Sequence, residues 1–174
     1  AIHGGFPLRG KPRNVRELKP TEIMKNKELS ELMSIIGLQL GEPTDDLNYG
    51  QIGILADADF DGFSIAALLV NFFSNWKELF DDERILLIKS PIVIAKKAKQ
   101  IKRYYDLEDF KKDNLDNSWN IEYNKGLGSL SVEEYDLMIN SPVTEILKYD
   151  DLANDSLETA FGKNPIPRKK WLMK

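Results

Sequence analysis

The chain has 174 residues, enough for one sizeable core, and its 42% hydrophobic and 30% charged content is that of an ordinary water-soluble globular protein. Cysteine is absent and His3 is the single histidine, which excludes disulfides, thiolate zinc sites and histidine-based triads or metal centres. The net charge of −4 argues against nucleic-acid binding by bulk charge alone, although a divalent ion inverts the sign of an acidic pocket.

No apolar run is long enough to span a bilayer and no signal peptide opens the chain, so a cytoplasmic protein without membrane contact is expected. The first residue is Ala rather than Met, which reads as a trimmed or processed start. The expected organisation is one domain over residues 1–174: a basic loop and helical lead-in (1–50), an α/β core (51–150) and a helical basic tail (151–174).

In chain order, Phe6-Pro7-Leu8-Arg9-Gly10-Lys11-Pro12-Arg13 is a stiff basic loop, readable either as a solvated connection or as a binding loop. From Thr21 the apolar residues Ile23, Leu29, Leu32, Met33 and Ile36 recur at helical spacing, with Asn26 as an internal cap and Gly37 as the stop. Leu38 to Tyr49 is a polar connection. Gln51 to Ala56 is short and β-branched, a buried strand, and Ile65 to Phe73 is a helix packed on it. The next buried strand, Arg84 to Lys89, completes a β-α-β unit and therefore a parallel pair with a right-handed crossover.

Pro91 to Lys96 and Ile101 to Tyr105 read as a strand pair turned at Lys97-Ala98-Lys99. Five Lys or Arg between Lys96 and Arg103 make either a DNA-facing edge or a charged edge that prevents aggregation. Asp106 caps a short helix over Leu107 to Lys112, and Trp119 to Tyr123 alternates as a strand. It leads into Asn124-Lys125-Gly126-Leu127-Gly128-Ser129, a glycine turn presenting a lysine. Ser131-Val132-Glu133-Glu134 has capping-box spacing and opens a helix with Tyr135, Met138 and Ile139 inward. Val143 to Leu147 is a further short element, and the tail contains helical stretches broken by Gly162, Pro165 and Pro167 before basic Arg168-Lys169-Lys170-Trp171.

The chemistry concentrates in Asp57-Ala58-Asp59-Phe60-Asp61-Gly62, between the first strand and its helix. Three carboxylates at alternate positions repel one another, and a divalent cation relieves that repulsion. The same spacing opens an EF-hand loop, but position twelve, which must be Glu, is Leu68; position eight, which must be apolar, is Ser64; and a strand precedes it. A haloacid-dehalogenase-like phosphotransferase fits the strand context, yet Asp57-Ala58-Asp59 runs into Phe60-Asp61 without that group's Gly-Thr or Gly-Val continuation. The remaining reading makes Asp57 and Asp59 Mg²⁺ ligands for phosphoryl transfer at a nucleic-acid backbone. Asp61 then acts through water, and Lys125 adds positive charge at the phosphate or is a plain surface lysine.

Three motifs carry a resemblance: Pro7-Leu8-Arg9-Gly10-Lys11, Ala56-Asp57-Ala58-Asp59-Phe60-Asp61-Gly62 and Lys125-Gly126-Leu127-Gly128 follow the order seen in type IIA DNA topoisomerases. Together the chain resembles their metal-binding Toprim domain, and Phe72-Phe73-Ser74-Asn75-Trp76 resembles the T-even-type phage branch. The resemblance implies a Rossmann-like parallel sheet flanked by helices, with a mixed α+β C-terminal extension. It implies Asp57, Asp59 and Asp61 as the Mg²⁺ carboxylates, Asp57 and Lys125 in catalytic roles, and Arg9, Lys11 and Lys125 at the DNA. It further implies duplex DNA as substrate and a dimeric or larger ATP-dependent holoenzyme whose ATPase and catalytic Tyr lie on other domains or subunits. A non-catalytic assembly module of the same complex is the alternative. The family also places a metal-binding Glu in an earlier strand, which would precede Ala1. It usually continues the acidic motif with Ser-His, where this chain has Phe63-Ser64.

Overall fold

The computed structural model describes residues 3–173. The lead-in holds α1 (Pro20–Met24) and α2 (Lys27–Ile36). Asn26 caps α2 by accepting the Leu29 N–H at 3.0 Å, and Gly37 ends it with a left-handed φ of 92°, where a Cβ would be strained. Both ends follow the local signals read from the sequence.

The α/β unit is β1 (Ile52–Leu55), α3 (Phe60–Phe73), the short α4 (Glu78–Asp81) and β2 (Ile85–Ile88). β1 and β2 pair in parallel, Ile52 opposite Ile85 through Leu55 opposite Ile88, as the crossover requires. A later strand, β6 (Thr144–Ile146), adds antiparallel to β2, giving the order β1-β2-β6. The β-α-β core is thus Rossmann-like, but its parallel character among the described residues is confined to one pair. β1 is an edge: one side of it pairs with no strand among the described residues.

A second sheet follows: β3 (Val93–Lys97) lies between β4 (Gln100–Tyr104) and β5 (Asn120–Tyr123), antiparallel to both. The lysine-rich segment is therefore a central strand with its hairpin partner, not an edge alone. Four of its five cations are matched: Lys96 with Glu122, Lys97 with Asp116, Lys102 with Asp113 and Arg103 with Glu134. That pairing favours the charged edge that prevents aggregation over a DNA-facing one. Between β4 and β5 runs α5 (Leu107–Lys112), capped by Asp106 as expected.

The chain closes with α6 (Val132–Asn140), α7 (Ala153–Phe161) and α8 (Pro165–Leu172). Pro165 occupies the first turn of α8, where its missing N–H costs nothing, so that proline starts the helix rather than breaking one. In α6, Met138 is buried and Tyr135 half-buried, but Ile139 is 51% exposed, against expectation. The inward position one turn before Met138 belongs instead to Glu134, whose carboxylate takes a bidentate pair from Arg103 at 2.7 and 2.8 Å.

The main core gathers Ile23, Leu29, Met33 and Ile36 from the lead-in with Leu69, Phe72, Phe73 and Trp76 from α3 and its exit. Phe72 and Trp76 meet edge-on at 5.4 Å, and the Trp76 indole N–H donates to the Gln39 carbonyl at 2.8 Å, so its burial leaves no orphan donor. This core holds the second half of α3, whose first turn carries the end of the acidic motif. A smaller core under the second sheet centres on Val93, Ala95 and Tyr104 against Phe110, Trp119 and Ile121.

Candidate functional site

α3 begins at Phe60, five residues earlier than the apolar run suggested, because Asp59 is its cap. The Asp59 Oδ1 accepts the Gly62 N–H at 2.7 Å, and Asp61 stands in the helix's first turn, where a carboxylate meets the positive end of the dipole. The acidic motif thus crosses from a strand-end turn into a helix, and its three carboxylates do not share one surroundings. Gly62 is required by packing: a Cβ there would lie 1.9 Å from the Asp57 carbonyl oxygen.

Asp57, half-buried past the end of β1, reaches another part of the chain. Its Oδ1 accepts the backbone N–H of Leu127 at 2.6 Å. The lysine-bearing glycine turn therefore sits directly against the acidic turn. Gly126 permits the approach, since a Cβ there would lie 3.0 Å from the Asp57 Oδ1 and 3.1 Å from its Cγ. On its upstream side the turn is fixed by Asn124, whose N–H donates to the Ile92 carbonyl and whose side-chain amide donates to Pro91, each at 2.9 Å. Lys125, between these anchors, is exposed and has no carboxylate within ion-pair distance among the described residues.

The basic loop closes the third side. The Lys11 ammonium pairs with the Asp61 Oδ1 at 2.9 Å, both groups largely in solvent. The loop is not a loose connection. Pro12 and Val15 are buried, the Arg9 N–H donates to Glu28, and Asn14 receives the Asn71 amide of α3 at 3.1 Å while donating to the Phe161 carbonyl. Arg16 then grips Glu158 and Asn154 on α7. Arg9, like Lys125, has an exposed side chain without an ion-pair partner among the described residues.

The structure therefore brings Lys11, Asp57, Asp59, Asp61 and Lys125 into one region. The relief of carboxylate repulsion that the sequence assigned to a cation is supplied here by three separate protein donors: Leu127 N–H, Gly62 N–H and the Lys11 ammonium. Among the described residues no three acidic or histidine side chains converge to hold an ion by themselves. Asp57 and Asp59 each use Oδ1 internally, so each keeps Oδ2, a hard oxygen donor. That set fits Mg²⁺, which takes one or two protein carboxylates and fills its shell with water and phosphate oxygens, and does not fit a closed all-protein cage.

Sequence reasoning missed Tyr135, whose hydroxyl donates to the Leu127 carbonyl at 2.7 Å, and the backbone N–H of Leu127 itself. The helical spacing that placed Tyr135 inward was the available signal, but spacing does not reveal a tertiary hydrogen bond.

A β-α-β core with an acidic turn at the strand end, closed by a lysine-bearing glycine turn, defines a Toprim-type domain. No family profile matches the chain. It is 39% identical over 132 residues to the DNA topoisomerase small subunit of Enterobacteria phage T4, an alignment covering 74% of this chain and 82% of that protein. It is 38% identical over 185 aligned positions to human DNA topoisomerase 2-beta, covering 98% of this chain but 11% of that one. The crystal structure of the Plasmodium falciparum topoisomerase II DNA-binding, cleavage and re-ligation domain superposes with a TM-score of 0.81 at 29% identity, over 95% of this chain and 24% of that one. The chain belongs to the type II DNA topoisomerase family. It spans about an eighth of the length of its eukaryotic relatives.

Proposed function

We propose that this chain is the Toprim portion of an ATP-dependent type II topoisomerase, working in the host cytoplasm if it is phage-encoded. It supports cleavage and re-ligation of duplex DNA by a Tyr that another domain or subunit supplies, in a dimeric or larger assembly that binds ATP outside this chain. The observation that carries this reading is the Asp57–Leu127 bond, which seats the turn bearing Lys125, a lysine without an ion-pair partner among the described residues, against the acidic turn. Mg²⁺, when bound, supplies Lewis-acid stabilisation of charge on the scissile phosphate.

The chain's own residues divide the remaining work. Asp57 and Asp59 offer Oδ2 as metal ligands, while Asp61 holds Lys11 beside them. Lys11, Lys125 and Arg9 place positive charge where DNA phosphates pass, and their ammonium and guanidinium groups orient the backbone rather than read bases. Among the described residues β1 pairs on one side only, and a further strand added on its other side, next to Asp57, would carry the metal-binding Glu that the resemblance implies.

The test is DNA cleavage by the reassembled enzyme carrying Asp57→Ala or Asp59→Ala with Mg²⁺ present. Cleavage falls by roughly 100-fold or more, matching the several kcal/mol that a metal contributes to charge stabilisation. Unimpaired cleavage overturns the assignment. The absence of a converged three-carboxylate cage among the described residues favours one other reading, an assembly module without chemistry. Calorimetric titration of Mg²⁺ into the assembled complex separates the two: binding lost in Asp57→Asn supports the metal site, and no binding in the wild type supports assembly.

A further inference from the structure

The turn carrying Lys125 is fastened downstream at a single residue, Leu127. The Leu127 N–H goes to Asp57, and the Leu127 carbonyl takes both the Leu130 N–H at 3.1 Å and the Tyr135 hydroxyl at 2.7 Å. A carbonyl has two lone pairs, so this one is filled by a bond within the turn and a bond from outside it. The outside donor stands on firm ground. Tyr135 lies in the first turns of α6, whose start is capped by the Ser131 hydroxyl. Its neighbour Glu134 ties α6 to β4 through the bidentate Arg103 pair.

We infer that Tyr135 is a positioning residue for Lys125. Its hydroxyl holds the Leu127 carbonyl while Asp57 holds the Leu127 N–H, so the peptide units on the two sides of Leu127 are each pinned from outside the turn. Lys125, set between Leu127 and the Asn124 anchor, presents its ammonium from a fixed backbone. Without the hydroxyl the carbonyl keeps only its bond within the turn, the Asp57 acceptor alone ties Leu127 to the rest of the chain, and the peptide between Leu127 and Gly128 loses its outside restraint. Ordering it again on each encounter with a phosphate weakens binding. This inference rests on the reading of Lys125 as a phosphate contact.

The experiment measures duplex DNA affinity over a salt series for the complex assembled from this chain and its partner subunits. The variants are Lys125→Ala, Tyr135→Phe, their combination, and replacement of Tyr135 by 4-aminophenylalanine, which keeps the ring and an N–H donor. Each neutralised phosphate contributes about 0.9 to the slope of log affinity against log salt. Lys125→Ala lowers the slope by about that amount. Tyr135→Phe lowers affinity roughly 2- to 10-fold, the worth of one hydrogen bond, and lowers the slope in the same direction. The combined variant matches Lys125→Ala alone, and the aminophenylalanine protein recovers both affinity and slope. If the two losses add in full, if Tyr135→Phe leaves the slope untouched, or if the phenylalanine and aminophenylalanine proteins behave alike, Tyr135 does not act by holding Lys125. If Lys125→Ala leaves the slope unchanged, the phosphate reading of Lys125 falls, and this inference with it.

Discussion

The Asp57 carboxylate and the Leu127 backbone N–H meet at 2.6 Å across 70 residues of chain. One bond thus joins the two turns on which the proposed chemistry depends. It also gives Asp57 two separable tasks, accepting a hydrogen bond through Oδ1 and offering charge through Oδ2. Asn keeps the acceptor and loses the charge, whereas Ala loses both. Asp57→Asn is expected to melt within a few degrees of the wild type while Mg²⁺-dependent cleavage collapses. Asp57→Ala, which leaves a partly buried N–H without a partner, should also lose about 1–3 kcal/mol in denaturant titration. Equal melting of the two variants would show that the bond contributes nothing to stability.

Gly62 is fixed by space rather than by dihedral freedom. Its added Cβ would meet the Asp57 carbonyl oxygen at 1.9 Å, and that oxygen is backbone, which cannot swing aside. Gly62→Ala must push the start of α3 away from the turn after β1. A loss of about 3 kcal/mol or more is expected from overpacking at so rigid a contact, read as a lower denaturation midpoint. Gly53→Ala is the control, because its Cβ would meet only side-chain atoms of Ile88, the terminal Cδ1 at 2.6 Å and Cγ1 at 3.2 Å, and no backbone; it should cost less than half as much.

Much of this was legible locally. Asn26, Gly37, Asp106 and Ser131 mark helix ends because a cap acts within three residues of itself, and all four act where the sequence placed them. The β-α-β unit was legible because its strands are short, apolar and separated by one helix. The start of α3 is less legible: the apolar run begins at Ile65, whereas the helix begins at Phe60, because Asp59 also caps it and nothing in its alternating acidic spacing marks that second role. Glu134 has capping-box spacing, yet Arg103, 31 residues upstream, captures its carboxylate, and Ile139 is left in solvent. The contacts that sequence could not supply, Asp57 with Leu127 and Asn71 with Asn14, are all tertiary and carried by backbone or amide groups with no periodic signature.

The Lys11–Asp61 ion pair is exposed, with side chains 51% and 82% accessible, so Coulomb attraction is screened and side-chain entropy opposes it. Lys11→Ala should change stability by less than about 1 kcal/mol. If Lys11 instead serves the DNA, the same substitution lowers the salt slope of DNA binding by about 0.9. A variant that melts early and binds DNA normally would reverse that division of labour.

Tyr104 makes the smaller core sensitive to alkali. Burial, and then its hydrogen bond to the Asp113 carboxylate and that group's negative charge, push the phenol up to about 12. The ordinary value is near 10, so the raised value means that the neutral phenol is favoured in the folded state. Its contribution is complete below about pH 10 and is lost as the pH rises through about 12. Tyr104→Phe removes this dependence. Melting temperature followed from pH 8 to 12 should therefore fall less steeply for the phenylalanine variant between about pH 10 and 12; parallel curves would dismiss Tyr104 as the titrating group.

The Arg103–Glu134 pair ties α6, and so Tyr135, to the second sheet. Glu134 is only 7% exposed and Arg103 24%, and two parallel N–H···O bonds at 2.7 and 2.8 Å satisfy the carboxylate. The hydrogen bond to Glu134 raises the Arg103 guanidinium further above its usual range, so the guanidinium stays charged at any ordinary pH. Removing one partner strands the other. Arg103→Met alone leaves a buried carboxylate and should cost about 3 kcal/mol, the lower end for a buried pair because Arg103 keeps some contact with water. Arg103→Met with Glu134→Leu removes both charges and should recover most of that loss, since apolar replacement of a buried pair is often neutral. The double variant then distinguishes stability from geometry. If the pair is needed only to hold the fold, its DNA affinity returns with its melting temperature. If the bidentate geometry is what orients α6, melting recovers while the loss of affinity and salt slope expected of Tyr135→Phe persists.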